Sequence, residues 1–284
     1  MGINNFMMCK MKNIFLKILV ITLLGCTGNE SEMNKGFNLM HIKDVPDVAW
    51  NKLSNKRIFF GHQSVGEDII QGIQEIIQEY PKININMFNY QNLTNFDQPF
   101  FVERAIGVNE KPYTKNNAFI SSFEGDLKGK VDIAFFKYCY VDFNAASDIN
   151  KIFNNYVEAV TKVKEKNSDM LIVHFTVPLT TNQTGVKAWI KQILGREIGG
   201  VKENIVRNRY NEMVLEKYSG TDIVFDLAKL ESTDPYGNRE KFEHDNDTYY
   251  SMVPLYTYDG GHLNKYGRRY IAEQLLITLA NQFQ

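Results

Sequence analysis

The chain has 284 residues, 44% of them hydrophobic and 23% charged. These fractions fit a folded globular protein of one or two domains and exclude a disordered, collagen-like or polytopic membrane chain. A formal net charge of −1 leaves no global basic field for nucleic acid.

The first element stands apart. Ile14 to Leu24 read IFLKILVITLL, an apolar run broken only by Lys17, with Lys10 and Lys12 before it and Gly25-Cys26 after it. A basic start, an apolar run of about 7–15 residues and a small residue at the cut describe a secretory signal. The run falls short of the ~20 residues of a membrane span. Residues 1–25 are therefore expected to be a removable leader, with Met11-Lys12-Asn13 as a second candidate start. Leu23-Leu24-Gly25-Cys26 resembles a bacterial lipobox, which implies that Cys26 carries lipid. Residues 26–44, polar from Thr27 to Lys35, are expected to form a tether, and 45–284 one domain. The expectation is an exported lipoprotein at the outer membrane or cell surface, touching the membrane through its anchor alone. Loss of the leader lowers Lys+Arg from 32 to 29 against 33 acids, a charge of −4. Cys9 leaves with it, so Cys139 remains alone beside Cys26, and no intrachain disulfide framework or zinc-ligand spacing is left.

From about Val45 strands and helices alternate. Arg57 to Phe60, closed by Gly61, reads as a first strand. Val65 to Tyr80 carries Ile69, Ile70, Ile73, Ile76 and Ile77 on one helical stripe. Ile83 to Phe88 alternates and predicts strand two. VDIAFFKYC, Val131 to Cys139, predicts a buried strand three. Ile149 to Val163 shows a second helical stripe, Met170 to Val177 reads as strand four, and Val201 to Tyr218 as helix. Ile223 to Leu227 predicts strand five. Lys265 to Ala280 predicts a closing helix capped by Asn264. This order predicts a flavodoxin-like three-layer α/β/α sandwich with a five-stranded parallel sheet. Such sheets place ligands beyond the carboxyl ends of their strands. The long connections Tyr90 to Lys130, Pro178 to Gly200 and Ala228 to Asp259 all start there.

Two motifs carry chemistry. Ser64, in Gly61-His62-Gln63-Ser64-Val65-Gly66, sits between strand one and its helix, where it serves either as a helix cap or as a nucleophile. Asp259-Gly260-Gly261-His262 precedes the last helix. An Asp three residues before a His can fold back onto the imidazole, or form a plain turn with a surface His. Together they predict Ser64 as nucleophile, His262 as general base and Asp259 as the orienting acid.

On these residues, and on the segment YTYDGGHLNKYGRRYIAEQLL, the chain resembles the SGNH (GDSL-type) hydrolase family over about Arg57 to Leu279. The resemblance implies a flavodoxin-like fold and acyl transfer through a serine, without a metal or organic cofactor. It is a divergent likeness. Gln63 stands where the family has Asp before its serine, and His62 where it has Gly. Strand three ends in Lys137-Tyr138-Cys139-Tyr140 without the family's Gly-x-Asn-Asp block. The oxyanion hole is then expected from Ser64 with Gly107 and Asn109 of the loop after strand two, whose donors can each be worth about 3 kcal/mol, unless Gly107-Val108-Asn109 is only a turn. His62, Gln63, Lys137 and Tyr140 are candidate pocket residues. His174 is expected in the core, His244 in a solvated acidic turn, Cys139 as a buried thiol, and Trp189 either stacking on a sugar or packing locally.

The expected activity is hydrolysis of acyl esters, acetyl above all, on a polysaccharide or other small ester. Two alternatives stay open: an envelope polysaccharide O-acyltransferase with the same three residues, and a non-catalytic glycan-binding lipoprotein.

Overall fold

The structure is a computed structural model that describes residues 40–283. The expected leader, the lipidated Cys26 and most of the tether lie outside the described residues. The fold begins earlier than residue 45: Ile42 and Val45 are 2% exposed, and the Ile42 amide donates to Glu273 Oε1 at 2.9 Å.

In chain order the elements are α1 (Asp47–Ser54), β1 (Arg57–His62), α2 (Val65–Glu79), β2 (Met87–Asn89), β3 (Phe100–Ala105), α3 (Pro112–Ser122) and β4 (Ile133–Phe136). Then follow α4 (Ile149–Lys166), β5 (Leu171–Phe175), α5 (Gly185–Ile193), α6 (Val201–Tyr218), β6 (Ile223–Phe225) and α7 (Leu227–Glu231). A two-stranded antiparallel hairpin, β7 (Lys241–His244) and β8 (Asp247–Tyr250), precedes α8 (Lys265–Ala280).

Among the described residues the main sheet has six parallel strands in the order β2-β3-β1-β4-β5-β6. The sixth strand is β3, which lies inside the long connection from Tyr90 to Lys130. It pairs with β1 along its whole length. The alternating stretch from Ile83 to Phe88 forms only the short edge strand β2, because Ile83 and Ile85 bury themselves as extended loop against the core.

Period-two patterning divides the sheet's side chains. Ile58, Phe60, Ile133 and Phe135 face a core shared with α1, α2 and α8. Phe59, Ala134 and Phe136 face a second core with α3, α4 and α6. The result is three layers, with β1 at the centre and its carboxyl end opening onto the Ser64 turn. Asn264 caps α8 as expected, accepting from the Gly267 amide at 2.9 Å.

Gly66, in the first turn of α2, allows that helix to press against β1. A Cβ there would stand 2.3 Å from Cβ and 2.7 Å from Cγ of His62, atoms too close to the backbone to move aside. Gly66→Ala is expected to cost about 1–3 kcal/mol of stability, as overpacking does, and to shift the Ser64 turn enough to slow any Ser64-dependent reaction. Urea denaturation and kcat of the same preparation check both effects.

Candidate active site

Ser64 is the residue before α2, yet its side chain does not cap the helix. Its Oγ lies 2.6 Å from Nε2 of His262 instead. The Ser64 backbone has φ 56° and ψ −115°, a left-handed conformation that a non-glycine residue holds only under constraint. The turn thrusts the hydroxyl beyond the end of β1 and out of the capping position.

His262 reaches Ser64 from the loop before α8. Its Nδ1 is 2.7 Å from Asp259 Oδ2. Asp259 Oδ1 accepts from the His262 amide at 2.8 Å and the Gly261 amide at 2.9 Å. Burial opposes the charge of Asp259, but these bonds and the imidazole outweigh it and hold the carboxyl at about 2. An ionised Asp259 therefore accepts a hydrogen bond from Nδ1–H, which keeps that proton on the imidazole and leaves the Nε2 lone pair toward Ser64. The Leu263 amide donates to Asp68 Oδ2 of α2 at 3.0 Å, and the Thr181 amide to the Gly260 carbonyl at 2.8 Å. These two bonds fix the loop against the sheet.

Tyr140 closes one side. Its Oη lies 3.4 Å from Nδ1 of His262, and its ring packs edge-on to the imidazole with centroids 5.6 Å apart. The exposed Tyr258 ring stacks on the other side at 6.0 Å. Tyr140 also borders a cleft of about 590 Å³ that reaches Arg207, Thr180 and Lys191.

The Gly107 loop follows β3 directly. Gln63 ties it to the Ser64 turn, donating from Nε2 to the carbonyls of Gly107 at 2.8 Å and Ile106 at 3.3 Å. Gly107 has φ +62°, and its Cα faces the Lys115 backbone, where a Cβ would come within 2.6 Å. The amides of Ser64 and Gly107 donate to no acceptor among the described residues. Asn109 Oδ1 accepts from Lys115 Nζ at 3.0 Å, which leaves the Asn109 amide group as its remaining donor. Lys115 in turn pairs with Asp142, both fully buried.

Two expected pocket residues face inward. His62 is 1% exposed because α2 covers it, and its Nε2 lies 2.9 Å from Glu103 Oε2. Lys137 is also 1% exposed, held under the Ser64 turn by backbone carbonyls. Neither lines open space. His62, Glu67 and Glu103 do bring metal-ligand atoms within 4.8 Å of one another; the His62–Glu103 bond uses His62 Nε2 and Glu103 Oε2, while His62 Nδ1 is buried without a hydrogen-bond partner. His174 is a core residue, 2.8 Å from the Tyr156 hydroxyl and stacked on Tyr218, and burial lowers it to about 4, so it is neutral. Cys139 is buried, His244 sits in the hairpin beside Asp245, and Trp189 is 61% exposed on α5. Sequence reading missed Asp68, Glu103, Lys115 and Asp142, whose partners are remote in the chain.

No protein-family model and no curated protein matches the chain. Among solved structures, a peptidoglycan O-acetylesterase superposes with a TM-score of 0.51 at 10% identity, over 85% of this chain and 95% of its own. The fold is the SGNH-hydrolase fold. Two further structures give lower scores. A carbohydrate esterase family 3 protein from Talaromyces cellulolyticus gives 0.46 at 12% identity, covering 80% of this chain and 98% of that one. A Salmonella Paratyphi A lipopolysaccharide acetyltransferase periplasmic domain gives 0.43 at 12%, covering 80% and 86%.

Proposed function

We propose that this SGNH-fold protein is a serine esterase that removes short acyl groups, acetyl above all, from a glycan of the bacterial envelope. The observation that carries the reading is the continuous chain Ser64 Oγ–His262 Nε2 at 2.6 Å and His262 Nδ1–Asp259 Oδ2 at 2.7 Å. Ser64 Oγ attacks the ester carbonyl while its proton passes to Nε2. Asp259 stabilises the imidazolium that forms. The oxyanion is received by the Ser64 and Gly107 amides and by the Asn109 side chain. Collapse breaks the bond to the alcohol, which leaves with the proton from Nε2. Water then attacks the acyl-Ser64 ester by the same route, releasing acid and free enzyme. The envelope location is supported by the basic, apolar and Cys26-terminated start of the sequence, and the glycan by the O-acetylesterase that shares the fold.

A fluorophosphonate probe and a short acyl ester test the reading together. One probe molecule is expected on Ser64, with loss of acetate release in step. Labelling elsewhere, or acetate release that survives full labelling, overturns it. Turnover that appears only on adding a sugar acceptor would assign the same three residues to acyl transfer.

A further inference from the structure

Beneath the nucleophile turn lies a cation without an anionic partner. Lys137 follows β4 directly, and its ammonium donates to the Gln63 carbonyl at 3.0 Å and the Tyr138 carbonyl at 3.3 Å, with Cys139 Sγ at 3.8 Å. It makes no ion pair among the described residues, and the neighbouring Asp142 is taken by Lys115. A buried ammonium without a counter-ion is strongly disfavoured, and a methionine would fill the same space without that cost. The charge therefore calls for a use.

The Gln63 carbonyl accepts from three donors: Lys137 Nζ at 3.0 Å, the Gly66 amide at 3.1 Å and Cys139 Sγ at 3.3 Å. The nitrogen of that same peptide is the Ser64 amide. A cation at the oxygen of a peptide withdraws electron density from its N–H and strengthens it as a donor. The same contact pins the turn in which Ser64 holds φ 56°.

We propose that Lys137 is a positioning residue for the oxyanion hole, its ammonium holding and polarising the Gln63–Ser64 peptide so that the Ser64 amide meets the developing oxyanion as a fixed donor. This rests on the assignment of Ser64 as nucleophile. Lys137 touches neither substrate nor Ser64 Oγ; it acts through the peptide between them. The titratable groups facing it are Cys139, Lys115, Glu231 and Asp142.

The test compares Lys137→Met and Lys137→Gln with wild type on a short acyl ester, with rates expressed per fluorophosphonate-titrated site. Lys137→Met is expected to lower kcat by about 30- to 100-fold with KM changed less than about threefold. Lys137→Gln, which keeps a neutral donor, recovers part of the loss. Burial lowers the Lys137 pKa from 10.5, so wild-type kcat falls as pH rises, below 10.5, as the proton is lost. Both variants lose that limb, while Glu231→Gln, which removes the carboxyl that burial raises to about 8, retains it. A lower melting temperature with unchanged kcat per site would make Lys137 merely structural and overturn the proposal. If neither variant folds, the wild-type profile decides, since a kcat level up to pH 10.5 overturns it as well. Ester turnover undiminished in Ser64→Ala would instead remove the nucleophile assignment, whatever Lys137 does.

Discussion

Ser64→Ala is expected to lower kcat on a short acyl ester by about 10⁴- to 10⁶-fold, and His262→Ala by a similar factor. The two groups act as one unit, with 2.6 Å between Oγ and Nε2. Without the hydroxyl there is no nucleophile; without the imidazole the hydroxyl keeps its proton at neutral pH. The losses are therefore far from additive, and the double variant should be little slower than either single one. What remains comes from the oxyanion donors and from substrate binding. Stability should move differently. Ser64 holds φ 56°, a conformation that costs about 1–3 kcal/mol for a non-glycine residue. Ser64→Gly is expected to be as inactive as Ser64→Ala but more stable than wild type, because glycine relieves that strain. Thermal melts beside the kinetic traces read both effects. Activity within tenfold of wild type in either single variant would remove Ser64 and His262 from the chemistry.

Ser64 and the Asp259–His262 pair were legible in the sequence because each motif is local and each lies beside a strongly patterned element. Strand and helix stripes placed Ser64 after β1 and His262 before α8, and parallel-sheet topology placed both at one edge. β3 was not legible. Its sequence, Phe-Phe-Val-Glu-Arg-Ala, buries its first three residues on both faces and leaves Ala105 exposed, so it shows neither alternation nor a long apolar run. Ile83–Phe88 alternates, but its isoleucines pack as loop against the core, so the pattern reported burial and not strand pairing. Lys115 and Asp142 lie 27 residues apart and in no periodic relation, so nothing in the sequence pairs them. Only the tertiary fold reveals that they are partners. Gln63, which departs from the family's residue before the serine, proved to be the tie between the two loops through Gly107.

The Lys115–Asp142 pair carries the largest expected effect on stability. Both side chains are fully buried. Asp142 also accepts from the Glu110 amide at 2.9 Å and the Cys139 amide at 2.7 Å, so it joins the loop after β3 to the turn after β4. Glu110 itself holds φ 67°, a second non-glycine residue kept in the left-handed region. Asp142→Asn removes one charge, keeps the shape and leaves the Lys115 ammonium buried without a counter-ion. The expected loss is about 3–5 kcal/mol, read by urea denaturation. Lys115→Met should cost a similar amount, because the carboxylate is then the stranded charge. The double variant removes both charges, and much of the stability is expected to return, since a buried pair gives little net stability over an apolar replacement. Activity should not return with it. Lys115 Nζ holds Asn109 Oδ1 at 3.0 Å, and a methionine cannot make that bond. Loss of one oxyanion donor lowers kcat by about 10²- to 10³-fold, and a misplaced Asn109 should approach that range. Stability restored without turnover would therefore separate two roles of the pair: charge compensation in the core and orientation of Asn109 at the site. A double variant as unstable as the singles would show that Asp142 matters through its backbone amides alone, and one with full turnover would remove Asn109 from the oxyanion hole.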